Sequence, residues 1–110
     1  MGLFSRGRRS VRKEEKGAHA AALDHLEAFA AGRRGVEGFV EPQTPTTPTT
    51  LVLVAGDGEW TRRRVGSPKE AFALGSRLGM PVYDVAAVGY PTRMREWTAR
   101  RKAAGETGPL

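Results

Sequence analysis

Apolar residues recur along the chain with two periods, and the changes of period divide it into elements. In "AHAAALDHLEAFAA" (residues 18–31), Ala22, Leu23, Leu26, Phe29 and Ala30 fall on one arc of a helical wheel, with Asp24 and Ala28 opposite. This predicts an amphipathic helix closed by Gly32 or Gly35. Arg33 and Arg34, just past its last turn, suit the negative end of the helix dipole. "VEGFVEP" alternates Val36 and Val40 imperfectly with charge and reads as a short strand ended by Pro42. "TTLVLVA" (residues 49–55) is apolar on both faces, which places it inside a sheet. "GDG" supplies a tight turn, because Asp-Gly tolerates the positive φ that hairpins need, and "EWTRRRV" returns as the antiparallel partner.

"SPKEAFALGSRLGMP" carries helix punctuation in order: Ser67 to cap, Pro68 at the first helical position, Glu70 completing a Ser-x-x-Glu box, Gly79 as the stop and Pro81 beyond it. Ala71, Leu74, Gly75 and Leu78 face the sheet, with Phe72 on the margin. "PVYDVAAV" reads as a fourth strand. "YPTRMREWTARRK" reads as a short helix with Tyr90, Met94, Trp97 and Arg101 on one side. That spacing marks Trp97 as the packing residue that anchors the helix, leaving Arg93, Arg95, Arg100 and Lys102 in water.

The order α-β-β-β-α-β-α predicts a single small α+β domain: a mainly antiparallel meander with helices packed on one face. A right-handed crossover through the helix from Ser67 would lay the fourth strand parallel beside the first. Residues 1–16 lack either period and are expected to form a basic, disordered arm. The domain then spans 17–103, and 104–110 form a disordered tail. Prolines at 42, 45 and 48 in "PQTPTTPTT" favour extended backbone. Residues 42–50 are therefore a loop between strands, or a docking segment.

A two-residue Asp57-Gly58 turn pairs Ala55 with Trp60, Leu53 with Arg62, Leu51 with Arg64, Val54 with Thr61 and Val52 with Arg63. A one-residue bulge at the glycines would swap these pairs and the faces they share. Trp60, Arg62 and Arg64 share one face, and Thr61, Arg63 and Val65 the other. Arginines there either protect an edge strand from adding another chain, or, beside Trp60, grip phosphates and stack bases.

Charge sharpens this choice. The 110 residues carry a net +6. Residues 1–16 hold six Lys/Arg against two Asp/Glu, and residues 89–110 five against two, while 17–88 are nearly balanced. Basic ends on a neutral body suit an anionic partner, or serve only solubility.

The catalytic inventory is thin. With no cysteine, thiolate nucleophiles, disulfides and Cys-based metal sites are excluded. His19 and His25, six residues apart on one helix, do not align as metal ligands and are expected to be partly buried and hydrogen-bonded. No paired carboxylates, dinucleotide fingerprint or P-loop are found. No enzyme, metal, cofactor or small-molecule substrate is expected. No apolar run fits a signal peptide or a membrane span, so the expected compartment is cytoplasmic.

The α-β-β-β-α order and "GSPKEAFALGSRLG" resemble in shape a double-stranded-RNA-binding domain, although one lysine stands where that family uses several. "GVEGFVEP", "GDGEWTRRRV" and "YDVAAVGYPTRMREW" together resemble a family of small actinobacterial proteins of unknown function, and the Ala/Gly/Arg-rich composition fits a high-GC genome. That resemblance implies no mechanism.

The expected role is a binding module that contacts RNA or the ribosome through Arg8, Arg9, Arg12, Lys13, Trp60, Arg62, Arg64, Arg93, Arg95, Arg100, Arg101 and Lys102. A peripheral membrane or protein-interaction adaptor, with Met1, Leu3 and Phe4 entering lipid beside Arg6, Arg8 and Arg9, is a second reading. A structural protein-binding domain is a third.

Overall fold

A computed structural model of the chain describes residues 2–106, with side chains from Lys16 onward. Its elements are α1 (Gly2–Ala31), β1 (Glu37–Glu41), β2 (Thr50–Val54), β3 (Trp60–Arg64), α2 (Pro68–Leu78), β4 (Val82–Asp84), α3 (Val85–Val88) and α4 (Thr92–Ala103). The fold is α+β in the expected order, with one added turn of helix, α3. That turn forms because Asp84 ends the fourth strand early and caps it, accepting a hydrogen bond from the Ala86 N–H at 2.9 Å.

The sheet order is β3-β2-β1-β4, with β1-β2-β3 an antiparallel meander and β4 parallel to β1. Central β2 explains its own sequence: Leu51, Val52, Leu53 and Val54 are all fully buried, because both faces of the sheet are covered. On one face, Leu51, Leu53, Ala55 and Val40 pack with Leu26 and Phe29 of α1 and Ala71 and Leu74 of α2. On the other, Val52, Val54 and Phe39 pack with Met94 of α4, flanked by Trp60, Val85 and Tyr90. The helices therefore occupy both faces, not one as the sequence suggested. An apolar pair such as Val52 and Val54 would lie in water without α4.

The second helix is built as its punctuation predicts. Ser67 accepts a hydrogen bond from the Glu70 N–H at 3.2 Å, Pro68 sits in the first turn, and Gly79 closes the helix at φ 66°. The first helix differs from expectation, because its backbone is helical from Gly2 and continuous with the amphipathic segment. Arg, Lys, Glu and Leu are all good helix formers, which outweighs the missing apolar period. At the other end, Glu106 N donates to the Arg101 carbonyl at 2.7 Å, which ties residues 104–106 back onto α4. Residues 107–110 of the expected tail lie outside the described residues.

The hairpin register is shifted by one residue from the simple two-residue turn. Val54 lies opposite Trp60, Leu53 opposite Thr61, Val52 opposite Arg62, Leu51 opposite Arg63 and Thr50 opposite Arg64. The loop is Gly56-Asp57-Gly58: Gly58 N donates to the Ala55 carbonyl at 2.9 Å, Ala55 N to the Glu59 carbonyl at 2.8 Å, and Glu59 N to the Asp57 carboxylate at 2.9 Å. Gly58, at φ 97°, is the positive-φ residue that a three-residue hairpin loop requires. Trp60, Arg62 and Arg64 still share one face of β3, but the shift moves it from the side of Leu51 and Leu53 to the side of Val52 and Val54 that α4 covers, and turns Thr61, Arg63 and Val65 toward α1 and α2.

Candidate functional site

A cleft of about 950 Å³ lies between α1 and the edge strand β3. It is lined by Ala18, His19 and Ala22 of α1, by Pro48 and Thr50 at the start of β2, and by Arg62, Arg63 and Arg64 along the edge of β3, with Arg63 on the α1 face of the strand and Arg62 and Arg64 on the other. The three arginines have different fates. Arg62 is bound to Glu41 by two hydrogen bonds, Nε to Oε1 at 2.6 Å and Nη2 to Oε2 at 2.9 Å. Thr50 donates to the same carboxylate at 2.7 Å, and the Tyr90 hydroxyl donates to its other oxygen. Burial pushes the Glu41 carboxyl up, but the hydrogen bonds from Arg62, Tyr90 and Thr50 and the Arg62 charge outweigh it, leaving the group below the usual carboxylate range. Hydrogen bonding to Glu41 holds Arg62 firmly protonated. Burial, then the hydrogen bond to Glu41, raises Tyr90.

Arg63 turns back along the strand, donating from Nη1 to the Arg62 carbonyl at 2.7 Å and to Thr61 Oγ1 at 3.4 Å. A guanidinium covering a backbone carbonyl of the edge strand supports the protective reading of this side chain. Arg64 is exposed and has no ion-pair partner among the described residues. On α1, His19 Nε2 lies 3.8 Å from Glu70. His25 Nε2 and Thr61 Oγ1 are joined at 2.7 Å, so this histidine is partly buried and hydrogen-bonded as expected. Burial lowers the pKa of His25, helped by the charges of Arg63 and Arg33.

The remaining candidates are not gathered at this cleft. Trp60 packs against the α4 side of the sheet, donates from Nε1 to Thr98 Oγ1 at 2.9 Å, and has Arg62 5.3 Å from its ring. Arg93, expected in water, is a staple: Nε donates to the Ala55 carbonyl at 2.9 Å and Nη2 to Glu37 at 2.6 Å. Arg100 is exposed but donates to the Asp57 carbonyl at 2.9 Å. Arg101 stacks 4.8 Å over Trp97 and pairs with Glu106 at 3.1 Å. Arg95 and Lys102 are exposed on α4. The side chains of Arg8, Arg9, Arg12 and Lys13, like those of Met1, Leu3, Phe4 and Arg6, lie outside the described residues.

Trp97 is only half-buried and stands outside the apolar cluster that Met94 enters, so Met94 is the anchor of α4. The smaller residue wins because it points at Phe39, Val52 and Val54, while Trp97 lies against the hairpin loop at Gly58.

Sequence reasoning missed Glu41, Glu37 and Tyr90 as arginine partners. Its available signal was that Glu37, Phe39 and Glu41 alternate along β1 and so share a face. Two carboxylates flanking a buried phenylalanine need cations. Among the described residues, no group of three His, Asp or Glu could hold a metal, and no helix is long and apolar enough to cross a membrane.

No family model, curated protein or solved structure matches this chain. The resemblances to an actinobacterial family and to an RNA-binding shape therefore rest on the quoted motifs alone.

Proposed function

We propose that the protein is a binding module that grips the phosphate backbone of RNA, free or on the ribosome, along α1 and the β3 cleft. The observation that carries this reading is that Arg64, exposed and without a carboxylate partner among the described residues, lines the same cleft as Ala18, His19 and Ala22 of α1. From there the helix runs on into residues 2–16, which hold six basic residues against two acidic ones. The backbone of α1 thus continues from the cleft into a segment of basic composition. Contacts to phosphate are favoured over base stacking, because Trp60 is packed against the sheet and Trp97 is covered by Arg101. The α4 arginines play a smaller part, since Arg93 and Arg101 are held by carboxylates.

Fluorescence anisotropy with a labelled single-stranded RNA, titrated over a range of salt, tests the assignment. Arg64→Gln should weaken binding and flatten the salt dependence by about 0.7 log units per log unit of salt, the share of one phosphate contact. Replacing Arg8, Arg9, Arg12 and Lys13 together by glutamine should flatten it further. Arg95→Gln with Lys102→Gln should leave it nearly unchanged. If the α4 pair matters and Arg64 does not, the site is misplaced.

A further inference from the structure

We propose that Thr47 is a phosphorylation site whose phosphate docks on Arg64 and closes the β3 cleft to anionic ligands. Residues 42–47 are all exposed, in the loop between β1 and β2. Within it a compact turn is held by Thr44, whose backbone N–H donates to the Thr47 carbonyl at 2.8 Å and whose Oγ1 accepts from the Thr47 N–H at 2.9 Å. That turn fixes the backbone of Thr47, while the Thr47 hydroxyl makes no hydrogen bond among the described residues. An exposed, unengaged hydroxyl in a short ordered turn, followed directly by Pro48, is an accessible phosphoryl acceptor. Thr44 is the poorer candidate, because its oxygen already serves the turn.

Position gives the modification a consequence. Pro48, the next residue, lines the cleft with Arg64. Thr50, three residues on, lies directly opposite Arg64 in the sheet. Three residues of extended chain span at most about 11 Å and paired strands lie about 5 Å apart, which bounds the Thr47–Arg64 backbone separation at about 16 Å. The bends at residues 45–47 shorten it, and a phosphate and an arginine side chain reaching toward each other close the rest. Among the described residues Arg64 also has no competing carboxylate, whereas Arg62 is neutralised by Glu41. A phosphothreonine adds about −1.5 to −2 charges and three strong acceptor oxygens, the complement of an unpaired guanidinium.

The chemistry needs a protein kinase and a nucleoside triphosphate. The Thr47 oxygen forms a bond to the γ-phosphorus, the bond from that phosphorus to the bridging oxygen breaks, the nucleoside diphosphate leaves, and the hydroxyl proton passes to the kinase base. Bound to Arg64, the new phosphate occupies the place proposed above for an RNA phosphate. Only this last step rests on the function proposed above.

Three measurements on the full chain test the inference. Incubation with a proline-directed Ser/Thr kinase and ATP, followed by peptide mapping, should place the phosphate on Thr47; labelling confined to Thr44 or Thr46 would overturn the acceptor. With phosphothreonine installed at 47, a ³¹P titration should give a second pKa below the value of about 6 for a solvated phosphate, returning toward 6 in Arg64→Gln. The same value with and without Arg64 would overturn the docking contact. Finally, phosphorylation should weaken RNA binding roughly tenfold and flatten its salt dependence as Arg64→Gln does. A chain whose phosphate contacts Arg64 but whose unmodified form binds no RNA would sink the RNA reading and leave the switch standing.

Discussion

Gly58→Ala should damage this protein more than any other single added methyl group in the hairpin, and the structure says why in two separable parts. Gly58 sits at φ 97°, where a β-carbon costs roughly 1–2 kcal/mol of backbone strain. That β-carbon would also overlap the Arg93 carbonyl, standing 2.8 Å from its carbon and 2.9 Å from the Trp97 β-carbon, against a comfortable carbon–carbon separation of about 3.5–4.0 Å. A helix backbone cannot rotate away as a side chain can. Overpacking of this kind typically costs another 1–3 kcal/mol, so the total is about 2–5 kcal/mol, a large part of a small domain's stability. Gly79 provides the control, with φ 66° but nothing within 4 Å of an added β-carbon. Gly79→Ala should therefore show the strain alone. Urea denaturation followed by circular dichroism would compare the midpoints, and amide spectra would show whether α4 has shifted. Equal losses for the two variants would refute the close approach of hairpin and helix.

Met94→Ala should lower stability by about 2–5 kcal/mol, because Met94 is 8% exposed within the second core, while Trp97→Ala should cost less; thermal melts of the two variants decide the order. Acidification should weaken the fold in two stages. His25, lowered by burial and then by Arg63 and Arg33, contributes stability that is full above its unfolded pKa of about 6.5 and is lost as pH falls through the lower folded value. Glu41, also depressed, contributes stability that is full above about 4.3 and is lost as pH falls further. Denaturation midpoints across pH should lose the first stage in His25→Gln and the second in Glu41→Gln. Above pH 5 the latter should cost about 1–2 kcal/mol, between the values for exposed and buried pairs because Arg62 keeps 40% of its side chain exposed.

Elements set by local chemistry were legible in the sequence. Ser67, Pro68, Glu70 and Gly79 determine the second helix within a dozen residues, and no distant contact overrides them. The doubly apolar run of β2 showed correctly that the strand is central. The same observation contradicted the one-sided packing inferred beside it, since Val52 and Val54 require a cover that only α4 could supply. The hairpin register was illegible for a subtler reason. Two-residue and three-residue loops can both be built from Gly56, Asp57 and Gly58, and the observed one is held in part from outside the hairpin, by Arg93 and Arg100 of α4, which donate to the Ala55 and Asp57 carbonyls. Those contacts span 38 and 43 residues.

The arginines show how little a residue count says about usable charge. Each cation reads alike in sequence, and its availability depends on whether a carboxylate reaches it in the fold. Glu37 and Glu41 stand on the same face of β1, one on each side of Phe39, and take Arg93 from α4 and Arg62 from β3. Neither pairing follows local periodicity: one crosses from sheet to helix, the other crosses the sheet over β2. Both pairs offset the cost of seating charge against an apolar layer. Pairing of this kind withdraws charge from the hairpin end and from α4, and leaves Arg64, among the described residues, without a carboxylate at the end of β3. The net +6 of the chain therefore overstates the charge its fold leaves open, because the carboxylates of β1 take up cations that composition counts as available.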